Sequence, residues 1–314
     1  MGELPHLAGT TVEVDGLTKR FGRGRSAVAA VQDLTFTVQP GRVTGFLGPN
    51  GSGKTTTLRC LLGLVRPTSG RALVGGVPYP ALTEPLLSVG AALEASGFHP
   101  GRSGRNHCRV VAAAAGLPDG RVDEVLRIVG LEQAARRRVV EYSLGMRQRL
   151  ALAVALLGDP GVLVLDEPAN GLDPEGIAWL RGYLRERAAR GGTVLVSSHV
   201  LSEVQQTVDD VVIINRGELV HAGPLAGLSG GAGTVIVRSP DAPRLVDALA
   251  AASGPASAVV RADGAVAVSG LTLAEVGHLA FVERCEVHEL SREPDDLERL
   301  FLQMTAEPRE GGTP

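Results

Sequence analysis

The spacing of apolar residues changes several times along the chain. Near the N-terminus Val12 and Val14 alternate with polar neighbours, and so do Leu34, Phe36 and Val38, which predicts half-buried strands. Gly41-Arg42 reads as a turn, and Val43 to Leu47 is a short apolar run suited to a buried strand. Thr55 to Leu64 has helical character and stops near Pro67. Residues 71 to 77 read as another strand. From about Glu84 to Gly158 the pattern turns mostly helical: Val122, Val125, Leu126 and Val129 recur at that spacing, as do Leu150, Val154 and Leu157. Strands return at Val162 to Leu165, Val194 to Ser197 and Val211 to Ile214, with a helix at Ile177 to Ala189 between the first two. Strands alternating with helices predict a largely parallel α/β sheet.

Residues Gly223 to Gly233 are dominated by glycine and small side chains, the composition of a linker. They divide a first domain, 10–225, from a smaller α+β unit, 234–305. In that unit Val235 to Val237, Ala258 to Arg261 and Ala265 to Val268 read as strands. Arg244 to Ala252, Leu271 to Ala280 and Leu297 to Met304 read as helices. The polar residues 306–314 read as a disordered tail. No internal repeat is visible.

Composition narrows the class. The 314 residues are 44% hydrophobic and 21% charged, ordinary for a folded domain pair. A net charge of −3 gives no electrostatic reason to expect nucleic acid as a partner. Cys60, Cys108 and Cys285 lie far apart and show neither metal spacing nor a disulfide framework, as expected of a reducing compartment. The N-terminal residues lack the pattern of a secretory signal. No apolar run approaches the ~20 residues of a membrane helix. Of 31 basic residues only Lys19 and Lys54 are lysine, so a lysine at position 54 points to a chemical need for an ammonium.

Gly48-Pro49-Asn50-Gly51-Ser52-Gly53-Lys54-Thr55 supplies that need. It matches the P-loop pattern, with an apolar strand before it and a helix, opening on Thr55-Thr56, after it. Glycines let successive N–H groups curl around phosphate oxygens, and the following helix aims its positive end at the same anion. Lys54 reaches the β- and γ-phosphates as a compact charge, and Thr55 offers a hydroxyl to Mg²⁺. Val162 to Leu165 then ends in Asp166-Glu167. After a P-loop, Asp166 is a candidate to hold Mg²⁺ through water, and Glu167 to polarise an attacking water.

Tyr142-Ser143-Leu144-Gly145-Met146-Arg147-Gln148-Arg149-Leu150 resembles the signature motif of ATP-binding cassette (ABC) proteins, in the variant of bacterial antibiotic and lantibiotic exporters. Asn170-Gly171-Leu172-Asp173 resembles the family's D-loop, and Ser197-Ser198-His199 its switch histidine. With the P-loop, these motifs run in family order over about residues 10 to 225. The resemblance implies a RecA-like core with an antiparallel β-subdomain and a helical subdomain. It implies ATP and Mg²⁺ as ligands. It also implies a head-to-tail pair of ATPase subunits, in which Ser143 and the N–H groups near Gly145 complete the partner's site. Asp173 joins the nucleotide-binding set, and His199 is expected at the γ-phosphate, although a lone histidine after a strand is ordinarily a surface or capping residue. Phe21 stands where the family stacks an aromatic on adenine, with core packing as the plain alternative. Glu94 falls where the family places a glutamine near Mg²⁺ and water. It enters here as a catalytic and metal-site candidate, with a misalignment of a residue or two as the alternative.

The expected function is therefore ATP hydrolysis that powers transport, by resemblance the export of an antibiotic, peptide or other hydrophobic compound. A separately encoded permease would span the membrane, and this chain would sit peripherally at its cytoplasmic face. A soluble ABC-type ATPase outside transport is the alternative. Such relatives usually carry a long coiled-coil insertion or two cassettes, and this chain has neither. A GTPase would need an Asn-Lys-x-Asp reader, which the two lysines exclude. A module that binds ATP without hydrolysing it is disfavoured by Glu167. The C-terminal unit shows no recognisable chemistry and reads as an accessory or dimer-supporting domain.

Overall fold

The computed structural model describes residues 9–22, 27–93, 97–200, 205–228, 234–251 and 257–292. They divide into two compact units, one ending at Leu225 and one beginning at Ala226.

The first unit is built on two sheets. β1 (Val12–Phe21) pairs antiparallel with β2 (Val28–Val38) and β4 (Ser69–Val74) in the order β2-β1-β4. The period-two pattern sends Val12, Val14, Leu34, Phe36 and Val38 to the buried face. The second sheet has the order β5-β6-β7-β3-β8-β9. Its strands are β3 (Val43–Leu47), β5 (Val89–Ala92), β6 (Val162–Leu165), β7 (Thr193–Ser198), β8 (Asp210–Asn215) and β9 (Glu218–Pro224). Every neighbouring pair is parallel except β8 with β9. Strands β3, β6 and β7 are buried throughout, which explains the unbroken apolar sequence of β6 and the apolar centre of β7. Phe46, Leu58, Val164, Leu195 and Ile214 join Val12, Val14 and Phe36 in one core.

The helices are α1 (Lys54–Leu61), α2 (Pro85–Ser88), α3 (Gly104–Ala114), α4 (Asp119–Ile128), α5 (Leu144–Ala155) and α6 (Pro174–Ala189). Three of their starts carry side-chain caps. Ser103, Ser143 and Asp173 accept from the N–H groups of Asn106, Met146 and Gly176.

Two sequence expectations need correction. The mostly helical stretch from Glu84 to Gly158 contains strand β5, which pairs parallel with β6 from Val89↔Val162 to Ala92↔Leu165. Its Gly90-Ala91-Ala92 core lacks the β-branched signal, because α5 presses against it. A Cβ on Gly90 would fall 2.0 Å from the Ala155 carbonyl oxygen. The linker also begins later than Gly223, since β9 continues to Pro224. Boundaries shift elsewhere: α1 spans Lys54–Leu61 and β4 spans Ser69–Val74.

The second unit runs β10 (Val235–Arg238), α7 (Ala242–Ala251), β11 (Ser257–Val260), β12 (Val266–Ser269), α8 (Leu273–Val282) and β13 (Glu289–Arg292). With the antiparallel order β11-β12-β10-β13, this is the β-α-β-β-α-β ferredoxin-like arrangement. Val235, Val237, Leu245, Val266, Val268 and Val276 form its separate core. Thr272 and Glu275 close a capping box at the start of α8. The predicted helix at Leu297 to Met304 and the tail lie outside the described residues, as do residues 229–233 of the linker.

Candidate functional site

Three neighbouring strands of the parallel sheet, β6, β7 and β3, end at the same edge. Side chains beyond the carboxyl ends of parallel strands share one crevice, the usual ligand position in open α/β sheets. The P-loop follows β3, Asp166-Glu167 follows β6, and Ser197-Ser198-His199 closes β7.

The loop from Gly48 through Pro49, Asn50, Gly51 and Ser52 to Gly53 leads into α1. Gly53 has φ 107°, and a Cβ there would lie 2.4 Å from the Ala30 carbonyl oxygen, so glycine is required twice over. Lys54 is 6% exposed, and its ammonium donates to the Gly48 carbonyl at 2.6 Å and the Pro49 carbonyl at 3.4 Å. It lies 3.7 Å from Glu167 Oε1. Burial pushes the Lys54 ammonium down in pKa, while Glu167 and Asp166 pull it back up. Thr55 Oγ1 donates to Asp166 Oδ2 at 2.7 Å, and Thr56 follows on the first turn of α1. Ser52 Oγ is buried and finds no hydrogen-bond partner among the described residues. A positive group, a helix start and an orphaned buried hydroxyl within one short loop fit a phosphate chain. Thr55 beside Asp166 is a hydroxyl–carboxylate oxygen pair that fits Mg²⁺.

Glu167 sits in the left-handed region at φ 49°. Its carboxylate meets His199 Nδ1 at 2.9 Å. Its backbone N–H donates to Ser197 Oγ at 2.9 Å, and its carbonyl accepts from Gln148 Nε2 at 3.4 Å and from the Asn170 N–H at 3.2 Å. The Ser197 hydroxyl in turn donates to Asp166 Oδ1. Lys54, Thr55, Asp166, Glu167 and His199, singled out from sequence, therefore meet in space.

Ser143, Gly145 and Asp173 form a second group. Ser143 caps α5 and is exposed, as is Leu144 beside it. A Cβ on Gly145 would come 2.6 Å from the Gly171 carbonyl oxygen, so the start of α5 packs on the 170–173 turn. Asp173 caps α6 and lies 3.7 Å from Arg149, whose guanidinium also sits over Trp179. A groove of about 770 Å³ is lined by Thr55, Asp166 and Glu167 from the first group and by Leu144, Arg147 and Gln148 from the start of α5.

Phe21, at the end of β1, is 47% exposed, so core packing does not hold it there. The Lys19 ammonium lies 4.9 Å from the centre of its ring and donates to the Arg66 carbonyl. Glu94 lies outside the described residues. Sequence reasoning quoted Gln148 and Ser197 inside motifs but gave them no role. For Ser197 the available signal was its place two residues before His199, at the carboxyl end of β7. The three cysteines are buried and free, and the described residues hold no metal-ligating cluster of histidine, cysteine and acidic side chains. No helix of the described residues is long and apolar enough to cross a membrane.

A strand–loop–helix cradle with paired carboxylates on the next parallel strand but one defines a P-loop nucleoside triphosphatase. Comparison with known proteins narrows the class. The ABC transporter family model matches residues 31–170, and a domain of unknown function (DUF8746) matches residues 233–298. The bacitracin transport ATP-binding protein BcrA of Bacillus licheniformis is 42% identical over 218 residues, 68% of this chain and 70% of that one. The Nod factor export ATP-binding protein I of Paraburkholderia xenovorans is 33% identical over 308 residues, covering 94% of this chain and 96% of that one. A solved ATP-binding subunit of an ABC transporter superposes with a TM-score of 0.62 at 28% identity, covering 70% of this chain and 92% of that one. The chain belongs to the ABC transporter ATP-binding family, and it is an ATPase.

Proposed function

We propose that this ATPase powers export of an antibiotic, peptide or other hydrophobic compound by a separate transmembrane permease, against whose cytoplasmic face it docks. The name of one relative specifies export, of Nod factor, and that of another specifies transport of bacitracin, which supports the reading. The observation that carries the catalytic reading is the meeting of Lys54, Thr55, Asp166, Glu167 and His199 at the ends of three adjacent strands.

In this reading residues Gly48 to Thr56 cradle the triphosphate, with Lys54 turning from the Gly48 carbonyl toward the β- and γ-phosphates. Thr55 and Asp166 would hold Mg²⁺, which would supply positive charge to the phosphate chain. Glu167 orients the attacking water and takes its proton. The water oxygen bonds to the γ-phosphorus as the bond to the β–γ bridging oxygen breaks, leaving ADP and phosphate. His199 orients the Glu167 carboxylate through Nδ1, leaving its other ring nitrogen free to meet the γ-phosphate. Phe21 stacks on adenine with Lys19 behind it.

One chain has one P-loop and one Ser143–Gly145 turn. Ser143 is exposed at the start of a 12-residue helix, where N–H groups and the helix dipole favour an anion. A second subunit, identical or a paralogue, supplies that end to the first subunit's γ-phosphate and completes the enclosure. Steady-state hydrolysis tests the site. K54A is expected to lose turnover together with nucleotide affinity. E167Q is expected to keep ATP binding while turnover falls at least about 100-fold. Full activity in K54A would reject the phosphate assignment, and unchanged turnover in E167Q would remove Glu167 as the base.

A further inference from the structure

Two consecutive serines close β7, and the alternation of the strand separates their jobs. Ser198 turns the chain: its hydroxyl accepts from the Val200 N–H at 3.0 Å. Ser197 points the other way, to the side of His199. It is fully buried, and the residues before it, Val194, Leu195 and Val196, are apolar and buried too. An apolar residue would suit this strand position equally well, so the hydroxyl calls for a reason.

Its bonds supply one. Ser197 Oγ accepts from the Glu167 N–H at 2.9 Å and donates to Asp166 Oδ1. The other oxygen of Asp166 is taken by Thr55 at 2.7 Å, so both carboxylate oxygens have fixed directions. Glu167 holds φ 49°, a region that a β-carbon disfavours, and Ser197 anchors the N–H side of that residue. One hydroxyl thereby ties the Asp166 carboxylate to the backbone of Glu167, the two neighbouring residues read above as metal holder and water activator.

We propose that Ser197 is a positioning residue for ATP hydrolysis, its single hydroxyl fixing both the Asp166 carboxylate and the left-handed backbone of Glu167. The inference deepens the function proposed above and rests on it. The hydrogen bonds of the Ser197 hydroxyl go to Asp166 and Glu167, so it acts through these two neighbours. Partners of this kind, one shell behind a metal site, typically cost 10- to 100-fold in activity or metal affinity when removed.

The test compares the full chain with S197A and S197T. Turnover is measured against ATP and, separately, against free Mg²⁺; ATP affinity is measured in EDTA, and melting temperature checks the fold. S197A is expected to lose turnover by roughly 10- to 100-fold and to need several-fold more Mg²⁺. Metal-free ATP affinity should stay within about twofold, because the phosphate loop is untouched. S197T keeps the hydroxyl and is expected to recover most of both losses. If S197A does not fold, S197C, similar in size but a weak hydrogen-bonding group, carries the same comparison. Wild-type turnover and Mg²⁺ requirement in S197A would overturn the proposal, as would equal damage in S197A and S197T. Those outcomes leave the ATPase reading standing. Absence of Mg²⁺-dependent turnover in the unaltered chain would remove that reading, and this inference with it.

Discussion

Lys54 concentrates the electrostatics of the site in one side chain. Burial lowers its pKa from the ordinary lysine value of 10.5, against the opposing pull of Glu167 and Asp166. A bound triphosphate brings more negative charge, which favours the ammonium and raises the pKa. The pKa is therefore lower in the free protein than in the complex, and binding takes up a proton at alkaline pH. ATP affinity is expected to hold through neutral pH and to weaken as pH rises through the lowered pKa of the free protein, by at most about tenfold per pH unit. Titration calorimetry in buffers of different ionisation enthalpy measures the proton uptake directly. Pure phosphate titration cannot imitate it, because phosphate groups have lost their protons well below that range. Affinity that does not change into the alkaline range would contradict the burial argument.

The same scale explains what could be read from sequence. Gly48 to Thr55 and Asp166-Glu167 are contiguous runs whose chemistry lies within a few residues, so their candidacy was legible. Ser197 and Gln148 act across elements: Ser197 reaches Asp166 only because β6 lies beside β7, and Gln148 reaches the Glu167 carbonyl only because α5 packs nearby. Local alternation does not specify which strands are neighbours. Phe21 shows the intermediate case, where sequence left stacking and packing open and exposure removes only the packing alternative.

At the scale of elements, the buried strands β3, β6, β7 and β8 followed the sequence closely, and β5 did not. Val89–Ala92 carries little β-propensity because its position demands small side chains. Gly90 has the Ala155 carbonyl oxygen at 2.0 Å and Pro160 Cγ at 2.7 Å from where a Cβ would stand. Packing of α5 overrides propensity here. G90V is accordingly expected to destabilise the first unit by roughly 2–3 kcal/mol, read as a lower urea midpoint. An unchanged midpoint would show that α5 can move away at little cost. The edge strand β9 was missed for a different reason. Its partly exposed, Gly- and Pro-containing sequence resembles a linker until β8 pairs with it.

At the scale of the molecule, parallel strands alternating with helices gave the fold class, but the order β5-β6-β7-β3-β8-β9 is a property of the packed sheet. That order gathers the P-loop, the carboxylates and His199 at one edge, while the Ser143–Gly145 turn stands exposed at the start of α5. Of the two partners proposed above, the identical copy is the one tested most directly: this turn would serve it, so that ATP joins two copies. The direct measurement is the molar mass of E167Q in solution, with and without ATP, alongside E167Q carrying S143R. The account predicts a monomer without nucleotide, a dimer with ATP, and a monomer with ATP bound in the S143R form. A protein that binds ATP and stays monomeric while hydrolysis is blocked, or an S143R form that still pairs, would contradict it.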